Sequence, residues 1–345
     1  MSGPLSSRRW VWLRAAVVLV ALCLLPFLVK NFRVFQFTMV MVYAIAILGL
    51  NILTGYNGQI SLGHGAFYAV GAYATAVLIE RAGLPYYATL PIAGVICFVL
   101  GAGMGFPALR LAGHYLAVAT LALALAVPQL LKYKLLEHWT GGVQGIVLVK
   151  PDPPIRFRFL DQPFSTDRWL YFFTLAVLIV MFVLAWNLLR GRVGRALIAI
   201  RDHPIAATAM GVNLPMFKTL TFGVSAAFTG VAGALSALVV GFVSPDSFTV
   251  TLSIFLLVGV VVGGLASIGG AFFGALFIQY VPNLAEEVSK SAPAAIYGAL
   301  LILLMYLMPT GVMGMLHVVR ARLRRAPATL AAAATSAAPV DNPPH

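Results

Sequence analysis

A chain of 345 residues that is 61% hydrophobic and only 10% charged is not a soluble enzyme or soluble binding module, where charged residues make up about 25%. It is an integral membrane protein with several spans, in keeping with its mean hydropathy of +0.95. The net charge of +13 follows from Lys and Arg collecting in cytoplasmic loops, and no soluble basic domain is present to bind nucleic acid.

A membrane-crossing helix needs about 20 apolar residues, and the chain offers a series of them. Arg8, Arg9 and Arg14 lead into "AAVVLVALCLLPFLV", which lacks a convincing small-residue cleavage site and reads as a retained first span over 11–29. Further spans are expected at 34–54, 62–80, 86–109 and 113–132. Then come a loop over 133–168, a span at 169–189, a loop over 190–218 and a span at 219–242. Residues 252–285 are too long for one untilted helix and are broken by "GGLASIGG"; they read as a helical hairpin, either two full spans or a re-entrant pair. A last span is expected at 292–309. The fold class is therefore all-α and polytopic, with about eight spans plus the hairpin, or 8–10 transmembrane helices.

Arginines at both ends, Arg8, Arg9 and Arg14 against Arg320, Arg322, Arg324 and Arg325, place both termini in the cytoplasm. The N-terminal segment 1–10 and loop 190–218 then lie inside and loop 133–168 lies in the periplasm. Residues 316–345 form a basic stretch and then an Ala- and Pro-rich tail expected to be disordered. Cys23 and Cys97 lie in apolar runs and define neither a disulfide framework nor a metal site.

Two polar stretches interrupt the apolar pattern. The first, "TGYNGQISLGHGAFYAVGAYATA" (54–76), places Gly65, Ala69, Ala72 and Ala76 on one helix face, suited to close packing in lipid. Gln59, Ser61 and His64 cluster at the head of that helix, where a broken helix start can line a polar path. For His64 alone a capping or hydrogen-bonded structural histidine is the better-supported reading. His114, Tyr115, Thr120 and Gln144 complete the candidate transport path. Gly141, Gly142 and Gly145 suggest a flexible outer loop or a plain turn.

The second stretch is "RVGRALIAIRDHPIAATAMGVN" (192–213). As a span it would carry Arg201 and Asp202 near its middle, each costing about 2.5–3.5 kcal/mol, against about 0.3–0.6 kcal/mol returned by each aliphatic residue. The charges win, so the stretch stays outside the bilayer core. "GRALIAIR" and "PIAATAM" are good short helices, with Pro204 suited to a first helical position and Gly211 to a terminating cap. Two readings follow: interfacial helices lying on lipid, or a knob that presents Arg195, Arg201 and Asp202 to a soluble partner.

"GQISLGHGAFYAVGAYATA", "LRLAGHYLAVATLALA", "TGGVQGI", "GRALIAIRDHPIAATAMGVN" and "VVVGGLASIGGAFFGA", in this order, resemble the permease subunits of branched-chain amino acid ABC importers, of the second-permease type. The resemblance covers about residues 40–315. It implies a second homologous permease, cytoplasmic ATP-binding subunits, a periplasmic substrate-binding protein and a bacterial inner-membrane location. It also implies that the 194–213 loop contacts the ATPases, with Gly194, Arg195, Ala196, Arg201, Asp202, Pro204 and Gly211 as coupling residues. Pro204 departs from the pattern of many relatives and breaks what would be a continuous coupling helix.

What the chain lacks fits this expectation. There is no G-x-x-x-x-G-K-[ST] phosphate-binding loop, so ATP must be hydrolysed by another subunit. No Asp, Glu, Lys or Arg falls in the middle of an expected span, which argues against a proton relay. No nucleophile, carboxylate pair or metal-ligand cluster suggests an enzyme, and no cofactor is expected. Alternatives are a permease for urea or short amides, an ion-coupled secondary carrier, and a membrane scaffold without transport.

Overall fold

The computed structural model describes residues 20–109, 111, 113–152, 158–159, 162–163, 165–288, 290, 292–316 and 318. The expected cytoplasmic segment 1–10, the first half of span 11–29 and nearly all of the 316–345 tail lie outside them.

The chain is a bundle of helices. Helix α1 occupies residues 20–28. Helix α2 (Asn31–Asn51) continues into a single π turn, Ile52–Tyr56. Then follow α3 (His64–Glu80), α4 (Tyr86–Ala108), α5 (His114–Leu131) and the short α6 (Glu137–Thr140). Three two-residue strands, β1 (Ile146–Val147), β2 (Arg158–Phe159) and β3 (Gln162–Pro163), interrupt the next loop. Helix α7 (Thr166–Arg190) leads into α8 (Arg192–Asp202) and α9 (Pro204–Ala209). The long α10 (Leu214–Val240) is followed by β4 (Phe242–Val243), α11 (Val250–Gly263), α12 (Gly270–Val288) and α13 (Pro293–Leu307). Among the described residues, seven stretches are long and apolar enough to cross a membrane: Asn31–Tyr56, Tyr86–Pro107, His114–Leu131, Thr166–Arg190, Leu214–Val240, Pro245–Gly263 and Pro293–Leu316. The protein is an all-α, multi-pass membrane protein.

Small residues set the closest helix contacts of the bundle. Lipid is as apolar as leucine, so helices gain from packing only where their backbones approach closely. Helix α10 is rich in Gly and Ala and is buried against α2, α3 and α4. Its Gly233 faces the Tyr68 carbonyl and its Gly230 faces Gly71 of α3, so that a methyl group on Gly233 or Gly71 would overlap the opposing backbone. Ala69, Ala72 and Ala76 are fully buried on the same side of α3, in line with the small-residue face read from the sequence. Helix α13, made of Leu, Ile, Met and Tyr, has no buried residue and belongs at the lipid boundary.

The 252–285 stretch is a helical hairpin, with α11 and α12 joined by a turn over 264–269. "GVVVG" at 259–263 lies against "GAFFG" at 270–274: Gly274 meets the Gly259 carbonyl, and Gly263 meets Gly270. Elsewhere the bounds shift slightly. Helix α10 begins at Leu214, five residues before the expected span, because the Asn213 side chain accepts from Met216 N at 3.1 Å and caps it. Helix α3 has 17 residues, about 26 Å at 1.5 Å per residue.

The end of the bundle away from α8 and α9 is tied down by short-range pairs. Strand β1 pairs antiparallel with β4, Lys132 with Asp246, and Lys150 with Asp167. Gly141, Gly142 and Gly145 all have positive φ, and Gly145 lies against the Val243 carbonyl. The glycine loop is thus a set turn docked on β4.

The glycine contacts make a testable expectation. Gly274→Val forces the hairpin apart and should cost about 1–3 kcal/mol or more, read as a lower thermal midpoint in detergent. Gly298→Val, at a site with no neighbouring atom within 4 Å, should leave the midpoint unchanged.

Candidate functional site

The helix pair α8–α9 is clamped to the bundle along one side and open along the other. Gly194 packs against the Leu189 carbonyl at the end of α7, where a Cβ would not fit. Leu197, Ile200 and Ala207 are buried and Ala196 is half-buried, while Arg192, Arg195 and Asp202 are exposed. The chain breaks at His203, and Pro204 takes the first position of α9, where its missing N–H costs nothing. Met210 ends that helix and Gly211 follows with φ +84°. Ile205 and Met210 stand 88% and 86% exposed at the tip.

Arg201 departs from the expected outward display. Its Nη1 donates to the Gly55 carbonyl at 2.8 Å, while its Nε donates to Asp202 at 2.9 Å. Its stem also lies over Gly58, which has φ +74° and leaves no room for a Cβ. Gly55 lies in the last turn of α2, where carbonyls have no intrahelical partner and a cation is favoured.

Residues 57–65 form a polar joint between α2 and α3. The Ser225 hydroxyl of α10 donates to the Gly49 carbonyl at 2.6 Å, so its proton is committed. Ser225 Oγ therefore accepts from His64 Nε2 at 2.7 Å, and His64 Nδ1 accepts from the Ser61 hydroxyl at 3.0 Å. This assigns a neutral imidazole from the hydrogen-bond network, as befits a fully buried ring with no carboxylate bonded to it. Thr120 of α5 accepts from Leu62 N at 2.9 Å, and Ser253 of α11 accepts from Gly65 N at 2.9 Å. Gln59 is held by Thr54, Leu53 and Asn57. The free donors at the start of α3 are thus met by a serine from another helix.

The joint brings together Gln59, Ser61, His64 and Thr120 of the sequence-derived path, all buried. It does not include His114 and Tyr115, which stand exposed at the start of α5 with Tyr115 at 76%. Gln144 is exposed in the glycine turn next to β1, at the end of the bundle opposite α8. Sequence reading missed Ser225, Ser253 and Asn51. Their signal was available: each is a polar residue inside an apolar helix, where polar groups are kept only with a partner.

Ser225→Ala would leave both the Gly49 carbonyl and His64 Nε2 unpaired, at about 1–3 kcal/mol each. The variant should melt earlier in detergent with helix content retained by circular dichroism; an unchanged midpoint would mean that the joint bears no weight.

Residues 33–309 match the family described as branched-chain amino acid transport system / permease component. The high-affinity branched-chain amino acid transport system permease protein LivM of Salmonella typhimurium is 36% identical over 309 residues, covering 84% of this chain and 72% of that protein. LivM of Escherichia coli matches at the same identity and coverage. LivH of Salmonella typhimurium is 26% identical over 79% of this chain and 91% of its own length. No solved structure matches. The length of the match and the identity to LivM agree: this chain belongs to the family of permease components of branched-chain amino acid transport systems.

Proposed function

We propose that the chain is the transmembrane permease subunit of an ATP-driven importer of branched-chain amino acids in a bacterial inner membrane. It works as a non-catalytic subunit beside a second homologous permease, two cytoplasmic ATP-binding subunits and a periplasmic substrate-binding protein. ATP hydrolysis in the partners switches the permease pair between openings on the two faces. The substrate class is that of the LivM and LivH transport systems.

Helices α8 and α9 are the handle on the cytoplasmic face. One observation carries this assignment: Ile205 and Met210 are almost wholly exposed at the tip of a helix pair whose other side is buried against the bundle. Two exposed apolar side chains on α9, with the exposed Arg195 on α8, suit a groove in a soluble partner, with the charge setting register. Gly194 and Ala196 let α8 sit close to α7, Pro204 and Gly211 turn the chain at each end of α9, and Arg201 and Asp202 brace the base. The end bearing Lys132, Asp246 and the glycine turn is then periplasmic and meets the binding protein, and both termini are cytoplasmic.

In this reading Gln59, Ser61, His64 and Thr120 shape the inner end of the path as a rigid joint. Their polar atoms are largely spent on one another and on backbone. His114 and Tyr115 lie on the open face of α5, a helix with few buried residues, which suits a path completed by the second permease. Gln144 belongs to the outer mouth.

Arg195→Glu and Ile205→Asp should each lower solute-stimulated ATP turnover of the reconstituted complex about tenfold, the effect of about 1.4 kcal/mol lost from docking, with membrane insertion intact. Unchanged turnover would remove the handle. Uptake by proteoliposomes holding all subunits should follow Leu, Ile and Val and exceed uptake of urea or short amides. Uptake without the ATP-binding subunits, driven by an ion gradient, would instead identify a secondary carrier.

A further inference from the structure

The base of α8 is joined by a part-buried hydrogen bond to the turn that ends α2, which is distant from it in sequence. Arg201 donates to the Gly55 carbonyl. Four residues before Gly55, Asn51 is 1% exposed and its amide is fully used in one direction. Its Nδ2 donates to the Ser267 carbonyl at 2.8 Å, and its Oδ1 accepts from Ala266 N at 3.0 Å. Both partners lie in the turn joining α11 to α12. Gly55 itself lies against Asn51 Oδ1 and Ala266 N, so that a Cβ there would push between amide and turn.

The geometry of the turn shows that the clamp holds something. Ala266 has φ +56° and is the one non-glycine residue with positive φ among the described residues. A left-handed alanine costs about 1–2 kcal/mol and persists where its surroundings over-determine it. Here the surroundings are the Asn51 amide, which takes the Ala266 N–H and offers its own N–H to the next carbonyl. A carboxylate would accept from Ala266 but face the Ser267 carbonyl with a second acceptor. The position therefore calls for a carboxamide. The π turn at Ile52–Tyr56 is the segment that brings the Gly55 carbonyl within reach of Arg201 and keeps Asn51 against the hairpin.

We infer that Asn51 is the positioning residue that carries movement of the α8–α9 handle to the α11–α12 hairpin, through the contiguous link Arg201–Gly55–Asn51–Ala266/Ser267. The inference rests on the reading of α8–α9 as the ATPase handle. Asn51 contacts neither the handle's exposed tip nor the polar joint's His64, so its substitution separates transmission from docking. The link gives the physical continuity that a coupling claim needs: two helix ends and one turn are joined by three part-buried hydrogen bonds, with Gly55 packed on the Asn51 amide.

The test uses the full complex of both permeases, ATP-binding subunits and binding protein in proteoliposomes, with leucine uptake and ATP hydrolysis measured together. Asn51→Asp should lower leucine taken up per ATP hydrolysed by about tenfold, within the usual span of coupling between sites, while the ATP-binding subunits still co-purify. Asn51→Gln, which keeps a carboxamide, should recover part of the ratio. Should Asn51→Asp fail to accumulate, Arg201→Met cuts the same link at a partly exposed side chain and should show the same fall. An unchanged ratio in whichever of Asn51→Asp and Arg201→Met accumulates would overturn the relay. The handle reading fails by a different result, namely ATP-binding subunits that co-purify and turn over normally with Arg195→Glu and Ile205→Asp.

Discussion

In a bilayer, an apolar side chain gains almost nothing by leaving lipid for another apolar side chain, and the fold depends on what replaces that missing drive. Here the replacement is close backbone approach. Gly71 against Gly230, Gly233 against Tyr68, and Gly259 and Gly263 against Gly274 and Gly270 bring main chains together where any larger residue would hold them apart. These contacts fix α10 as the central helix, seat α3 on it, and fold α11 onto α12. Large side chains do not by themselves keep a helix outside, since α2, rich in Val, Ile, Leu and Met, is buried among these contacts.

Once the backbones are that close, polar groups caught between them must be satisfied within the protein. The joint at 57–65 does this with little material. One histidine ring connects a loop serine to Ser225, and Ser225 passes the chain of bonds to the Gly49 carbonyl. Serine and threonine from α11 and α5 meet the backbone donors of the loop and of the next helix start. Five helices, α2, α3, α5, α10 and α11, are therefore located relative to one another by a handful of hydrogen bonds. The same loop adjoins Arg201, so the joint and the base of α8 belong to one mechanical unit.

Much of the architecture was legible in the sequence because hydropathy and small-residue spacing are local signals. The hairpin at 252–285 announced itself through glycines on either side of a turn, and the charged 192–213 stretch could not enter a bilayer. The break before Pro204 followed from the chemistry of proline. The partners were not legible. Arg201 meets a carbonyl 146 residues away and Ser225 meets one 176 residues away, and no periodicity encodes such pairings. For that reason Arg201 read as an outward-facing charge. His64 read best as a structural histidine, and the ring is indeed fully bonded, yet its partner on α10 carried no sequence mark beyond being a serine in an apolar run.

Helix α10 runs 27 residues from Leu214 to Val240, about 40 Å end to end, with its one proline confined to the first turn. At its start a short turn over 210–213 joins it to α9, and at its finish β4 is stitched to β1. It is thus a stiff strut whose two tips lie on opposite surfaces. A tilt imposed at one surface must displace the other, so the two surfaces of this protein report on each other through a single rigid body.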